Sequence, residues 1–500
     1  SSSEFSSFDW ISMVEDVDLV RDIGMPDRFT PYTFYITVTL SLTWVLAAIP
    51  AMIPAYVAPP ASGGANSTRI GDFYTVIDEF QLSSTTAEWT TMAYFAGSLV
   101  VGQIPCALSD KIGRKPVAFW SALLTGMAGV IAALAPNYWI FLIGRFMQGA
   151  FFTATTNVNW VMVCESVPLS RHGRASIVFG VMWCTGYCII APLAIFFPTW
   201  RGLFMVTAVP TILYAFIMNY FVRESLSFLV IRRRRDEVEA WIQTAEKYGG
   251  VKVTHSFEGG CLDTLLDDRM DDSPSRRSTY SGTSSQVSEP QQQSMRELTC
   301  EALKDSKTAL YLAISIYMWI TDFLVYNGLS MTSTGIKVGN PHWNYVMSGL
   351  VELPAAFVLP LLMDTIGRRA TVILSHAETA LALFALGFIP LENNILYMAV
   401  WLAAKFGTAS SFIALYIYGS EIFHIKYRNI CLGICCTLGN LGAMAAPYTA
   451  HIGVGNQALV YSIYALVSII SSGLDFALPE TMHLHRRSME SIQPMPPVVA

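Results

Sequence analysis

Apolar residues run along this chain in twelve blocks of membrane-spanning length. Residues 32–57, 89–108, 117–135, 138–163, 175–197 and 203–222 make six; 309–330, 345–363, 371–390, 395–418, 430–448 and 458–477 make six more. A hydrocarbon core about 30 Å thick is crossed by about 20 residues at helical rise. Each block therefore predicts one transmembrane α-helix. Pro50 and Pro54 interrupt the first block, which a membrane helix tolerates when neighbouring groups satisfy the freed backbone. The expected fold is an all-α membrane protein of twelve transmembrane helices.

Composition agrees. Charged residues make up 14% of the 500 positions, where soluble chains carry about 25%. A disordered protein is excluded, the charge deficit argues strongly against a soluble enzyme, and a net charge of −6 is too mild to suggest nucleic acid as a partner. The lipid bilayer is the expected surrounding.

Basic residues set the orientation. With both termini cytoplasmic, 26 of the 31 Lys and Arg fall on the inner side, as the positive-inside rule requires. Arg69, Arg201 and Lys337 fall outside, while Arg145 and Lys405 lie within spans. A cleaved leader is not expected; the first span acts as its own signal. The predicted organisation is a cytoplasmic N-terminus (1–31), a first six-helix bundle (32–222), a cytoplasmic linker (223–307), a second bundle (308–477) and a cytoplasmic tail (478–500). The linker opens with Arg232–Arg235 beside an amphipathic stretch at 236–248, and ends in a Ser/Thr/Gln-rich part expected to be disordered. Arg276-Arg277-Ser278 makes a kinase a possible partner there. The one sequon, Asn66-Ser67-Thr68, falls in an outer loop and is a candidate for glycosylation. The nine cysteines offer no outer disulfide framework and read as packing residues.

The two bundles repeat. Asp110-Lys-Ile-Gly113-Arg114-Lys115 returns as Asp364-Thr-Ile-Gly367-Arg368-Arg369, at an offset of 254 residues. Glu165, with Arg171 and Arg174, returns as Glu421, with Lys426 and Arg428, at an offset of 256. Two six-helix halves related in this way imply alternating access, with substrate near the midplane. Glycine permits a tight turn between helices. The charges around it are candidates for gating, since pairs that form and break bias a two-state equilibrium. The gating set is Asp110, Gly113, Arg114, Glu165, Asp364, Gly367, Arg368, Glu421 and Arg428, with Arg145 added from the fourth span.

From these motifs the chain resembles a major facilitator superfamily transporter. Further stretches resemble the organic cation/anion/zwitterion transporters, and the cation branch most. They are Ala135-Pro136-Asn137-Tyr138, Gly144-Arg145-Phe-Met-Gln148-Gly149, Val351-Glu352-Leu353-Pro354-Ala355-Ala356-Phe357, Gly419-Ser420-Glu421 with Arg428-Asn429, and Leu478-Pro479-Glu480-Thr481. The resemblance runs from about residue 16 to 482, outside the first outer loop and the linker. It implies two pseudo-symmetric bundles around a central path. Three departures stand out. The first outer loop is short and lacks Cys, the motif's usual leading Gly is Cys106, and the eleventh span's charge position is Asn440. That position is acidic in many cation carriers and basic in anion carriers.

Ionisable residues within spans are costly and mark function. Trp319, Asp322 and Tyr326 fall within an arc of about 60° on one helix at about 100° per residue, which suits an organic ammonium. Each ring would add about 0.5–2 kcal/mol of cation–π attraction. The alternatives for Asp322 are pairing with Lys405 or Arg145, or a protonated structural role. The resemblance assigns Glu352 and Trp160 to the cation site and makes Lys405 a basic residue common to both branches. Lys405 and Arg145 are expected to pair with acids or gate before they touch substrate. Glu378, near His376, is read as a structural pair ahead of proton coupling. Tyr35 and Trp183 are further path candidates, and Asp475 lies at an inner helix end.

No phosphate-binding Gly-x-x-x-x-Gly-Lys-Ser/Thr loop and no metal-ligand spacing of the eight His occur, so neither cofactor nor metal is expected. The sequence thus points to a secondary transporter of a small organic ion at the plasma membrane. A cation is favoured over an anion or a carnitine-like zwitterion, and membrane potential is the simplest driving force. The rival is a non-transporting receptor or scaffold that uses the linker to bind partners.

Overall fold

A computed structural model describes residues 28–59, 70–168, 171–232, 234–249, 303–336, 338–390, 392–423, 425–452 and 456–482. Twelve long helical segments cross it. The first half holds α1 (Pro31–Val57), α2 (Ser84–Ile112), α3 (Arg114–Ala133), α4 (Tyr138–Cys164), α5 (His172–Phe196) and α6 (Trp200–Phe221). The second holds α7 (Ser306–Gly335), α8 (Pro341–Ile366), α9 (Arg368–Leu386), α10 (Asn394–Ile422), α11 (Ile425–Ile452) and α12 (Gln457–Asp475). Eleven of the twelve are apolar enough to span a membrane by composition. The exception, α4, has 27 residues. Its buried face carries Arg145, Gln148, Thr153, Thr155, Thr156 and Asn159, which lowers its average while leaving it enclosed by other helices.

Local chemistry sets the helix starts. Thr30 caps α1 in a reciprocal box with Thr33, and Asn137, Thr199 and Asp305 cap α4, α6 and α7 through side-chain oxygens. Small residues set the closest helix approaches. A Cβ at Gly149 of α4 would stand 1.7, 2.6 and 3.1 Å from three backbone atoms of Tyr94, so α2 and α4 pack backbone to backbone there. Gly186 of α5 meets the Val45 carbonyl of α1 in the first half, and Gly442 of α11 meets the Ile320 carbonyl of α7 in the second. These two glycines are again 256 positions apart.

Beyond α6 the chain stays packed. A helix at Arg235–Gly249 buries Val238, Trp241 and Ile242, and Trp241 meets Tyr32 of α1 edge to face at 5.6 Å. The amphipathic stretch in the linker is thus a docked helix. The Ser/Thr/Gln-rich part, including Ser278, and the sequon at Asn66 lie outside the described residues.

The halves touch mainly at the end opposite the Asp-x-x-Gly-Arg motifs. There Thr334 donates to the Ala55 carbonyl at 2.9 Å, Tyr345 to the Met52 carbonyl at 3.3 Å, and Tyr56 meets His342 Nδ1 at 3.1 Å. Tyr187 and Ser348 share a hydrogen bond of 2.9 Å between α5 and α8. Among the described residues, the side-chain hydrogen bonds between halves lie at this end or near mid-span. This conformation is closed away from the motifs.

Candidate functional site

Pro354 removes a backbone donor from α8, and the helix breaks at Val351. Glu352 begins the following segment and is 8% exposed. Lys405, fully buried on α10, brings its ammonium to 3.1 Å from Glu352 Oε1. Lys405 also donates to Ser330 Oγ at 2.6 Å and lies 3.5 Å from the centroid of the Tyr326 ring. The Tyr187 ring is 5.6 Å away. Glu352 Oε1 meets the ammonium outside hydrogen-bond alignment, so the pair is held by charge more than by geometry. Tyr326 accepts a hydrogen bond from Trp183 Nε1 at 3.0 Å, which ties this cluster to the first half.

Aromatic rings continue on both sides. Trp183 meets Trp44 at 6.1 Å and Phe152 at 6.3 Å, and Phe412 packs on Tyr326 at 5.2 Å and Phe323 at 5.0 Å. Trp319 stacks on Phe323 and meets Tyr416 edge to face. Trp160 packs against Phe179 at 5.1 Å, within the first half's own core. Asn440 donates to the Cys436 and Thr437 carbonyls of its own helix and, among the described residues, pairs with no charge.

Asp322 does not complete the expected stripe. Trp319, Phe323, Tyr326 and Ser330 share the α7 face that carries the aromatic cluster, and Asp322 stands at its flank. Its Oδ1 lies 3.1 Å from His376 Nε2 and accepts from Ser411 Oγ at 2.9 Å. His376 Nδ1 reaches Asp475 Oδ2 at 2.8 Å. The aromatic-flanked anionic stripe is therefore corrected: Asp322 turns toward α9, α10 and α12, and its partner is neither Lys405 nor Arg145. Glu378 sits on α9 two positions beyond that histidine and is not the residue paired there. His376 was visible as a span histidine, but nothing in the sequence set it between two carboxylates.

The repeated motifs build two matching clusters. Gly113 has φ +114° and Gly367 φ +100°, where non-glycine residues are strained. The turn lets a distant glutamate cap the next helix. Glu224 accepts from the Arg114 and Lys115 amides, each at 3.0 Å, and Glu480 from the Arg368 and Arg369 amides at 3.0 and 3.2 Å. Arg114 pairs with Asp110 at 2.7 Å and Glu165 at 3.2 Å, and Arg368 with Asp364 at 3.0 Å and Glu421 at 3.3 Å. Every one of these pairs joins helices within a half, not across halves. Burial raises the Glu165 carboxyl above its ordinary range, with Arg114 opposing. Glu224 was missed; its 256-residue offset from Glu480 was the available signal. Arg428 is half-buried on α11.

Arg145 sits at the other end. It is fully buried, donates to the Thr90 carbonyl at 3.3 Å, the Pro50 carbonyl at 2.9 Å and Gln148 at 3.0 Å, and covers the Tyr94 ring at 4.6 Å. Pro54 has no N–H to return to Pro50, so Arg145 satisfies the carbonyl that this proline frees. Its contacts tie α1, α2 and α4 away from the motif clusters.

Residues 45–495 match the sequence profile of the sugar (and other) transporter family. The chain belongs to this family of major facilitator transporters. It is therefore a multi-pass membrane transporter, not an enzyme. It is 32% identical to a putative transporter of Caenorhabditis elegans over 445 residues, covering 88% of this chain and 84% of that one. It is 28% identical to the organic cation transporter protein of Drosophila melanogaster, over 83% of this chain and 72% of that one. An organic cation/carnitine transporter of Arabidopsis thaliana is 25% identical, over 80% of this chain and 75% of that one. The fold matches the partially occluded inward-open xylose transporter XylE of E. coli with a TM-score of 0.64 at 16% identity, over 90% of this chain and 98% of that one.

Proposed function

We propose that this transporter carries a small organic cation across the plasma membrane by alternating access between its two halves. The observation that carries the reading is the Lys405 ammonium, held at 3.1 Å from a buried carboxylate and 3.5 Å from an aromatic face. A substrate ammonium needs those same two partners. Ser330 already holds the Lys405 ammonium at 2.6 Å, so an arriving cation shares Glu352 with Lys405 and a departing one leaves Lys405 beside it; Glu352 is never left as an uncompensated buried charge. Trp183, Tyr326 and Phe412 supply the apolar walls for the cation's carbon groups. The sequence similarity to proteins named organic cation transporters supports the same class.

The Asp-x-x-Gly-Arg clusters act at the other end. Each locks three helices of its half into one body, which a rocking-bundle motion requires. The orientation that follows from the basic residues places these clusters in the cytoplasm, so the conformation seen here faces inward.

A zwitterion is the second reading, favoured by the presence of both Glu352 and Lys405 in one cluster. An ammonium and a carboxylate on one substrate would separate the pair and satisfy both members. The Glu352→Gln protein tests the cation reading. Lys405 then stands free, so uptake of tetraethylammonium falls by an order of magnitude or more while uptake of a simple carboxylate rises. Undiminished tetraethylammonium uptake by that variant contradicts the cation site.

A further inference from the structure

Asp322, His376 and Asp475 lie outside the cluster just assigned, and the transport reading leaves them unused. They come from α7, α9 and α12 and are 2%, 1% and 0% exposed. Each imidazole nitrogen faces one carboxylate oxygen, at 3.1 and 2.8 Å. Each contact holds one proton, on nitrogen or on oxygen. With two protons the three groups carry one net negative charge: an imidazolium between two carboxylates. Among the described residues, neither carboxylate pairs with Lys or Arg.

The outer oxygens are the decisive atoms. Asp322 Oδ2 and Asp475 Oδ1 are buried and, among the described residues, have no hydrogen-bond partner. Two unfilled acceptor positions beside an unbalanced buried charge are costly, and one further proton on either oxygen neutralises the cluster. The groups facing it from the packed helices are few. Ser411 of α10 donates to Asp322 and is itself held near the Thr408 carbonyl, Tyr418 of α10 donates to the Pro479 carbonyl, and Tyr317 of α7 to the Val467 carbonyl. None of these supplies a cation. Asp475 is the last residue of α12, so the cluster runs from a helix terminus at the motif end into the interior.

We propose that Asp322, His376 and Asp475 form a proton-binding site and that transport of the organic ion is coupled to a proton taken up and released there. The inference rests on the transport reading above. The coupling follows from shared helices. Asp322 flanks the α7 face that carries Tyr326, and Ser411 is adjacent on α10 to Phe412, which packs on Tyr326. Gain or loss of the proton changes the hydrogen bonds that hold α7 and α10 to α9 and α12. It therefore changes the position of the rings around the substrate.

The test uses the full-length protein in proteoliposomes at clamped membrane potential, with tetraethylammonium, an aromatic carboxylate and a betaine as probes. Counterflow is measured without a pH gradient, and net accumulation with one. A gradient of one pH unit is worth about 1.4 kcal/mol per coupled proton, so about tenfold accumulation is the ceiling. The wild type is expected to concentrate its substrate severalfold under one sign of gradient and deplete it under the other. Asp475→Asn and, independently, His376→Gln are expected to keep counterflow within about twofold and to bring the accumulation ratio to about one; counterflow also reports that each variant is folded. Wild-type counterflow with no effect of the gradient overturns the coupling alone, as does full gradient-driven accumulation in both variants. Absence of counterflow with all three probes overturns the transport reading itself.

Discussion

Glu352 and Lys405 face each other at 3.1 Å in the interior of the second half, on helices that the chain reaches some fifty residues apart. Removing one member leaves a buried charge without its counter-ion, a loss of about 3–5 kcal/mol, whereas replacing both with apolar groups is often near neutral. Lys405→Met should therefore lower the thermal midpoint of the purified protein sharply, and Glu352→Leu/Lys405→Met should recover most of it. Paired melting curves of the two proteins check this. A single variant as stable as wild type would show that the pair carries no buried charge.

Gly113 and Gly367 combine positive φ with a close glutamate. A Cβ would stand 2.4 Å from Glu224 Oε2 at the first and 2.7 Å from Glu480 Oε2 at the second. Gly113→Ala and Gly367→Ala should each cost about 1–3 kcal/mol through backbone strain, and both displace the cap on the following helix. Denaturation of the two variants is the check, with Gly173→Ala as control, since a Cβ there meets nothing within 4 Å.

Asp110 is the exposed member of its cluster, with 69% of its side chain accessible, while Arg114 and Glu165 are largely covered. Exposed pairs contribute about 0–1 kcal/mol. Asp110→Ala should therefore reach the membrane in normal amounts yet transport severalfold more slowly. Surface labelling and uptake on the same cells measure the two effects separately, and wild-type turnover would remove Asp110 from the gating set.

The helices and the two-fold repeat were legible because span length, Gly-Arg turns and positive charge are local properties. The site was legible only in part. Lys405 pairing with an acid followed from the cost of burying an ammonium, but the choice of Glu352 over Asp322 did not. That choice depends on how α7 rotates against α9, α10 and α12, and Asp322 lies close enough to Tyr326 on the helical wheel for either face. Likewise Arg145 read as a gate from its charge alone, because the sequence does not reveal which carbonyl a proline three helices away leaves open.

Glu79, on the short Val76–Phe80 helix, accepts from Arg201 at 2.5 Å and from Trp200 at 2.7 Å. Hydrogen bonding to Arg201 holds its carboxyl below the ordinary value of 4.5. A lowered folded value means the contribution is complete above the unfolded value and fades as pH falls through the folded one. The stability gap between wild type and Glu79→Gln should thus be constant near neutrality and close on acidification below about pH 4. Thermal midpoints across that range provide the comparison, and a gap that widens in acid would reverse the sign.

The central claim is that the Glu352 cluster selects an organic cation. Its most direct test is uptake of labelled tetraethylammonium, an aromatic carboxylate and a betaine into vesicles holding the purified protein, with the potential clamped. The account predicts saturable tetraethylammonium uptake that grows as the interior is made negative, in keeping with about 2.3 kcal/mol per charge per 100 mV, and little carboxylate uptake. Saturable carboxylate uptake with no tetraethylammonium transport at any potential would contradict it.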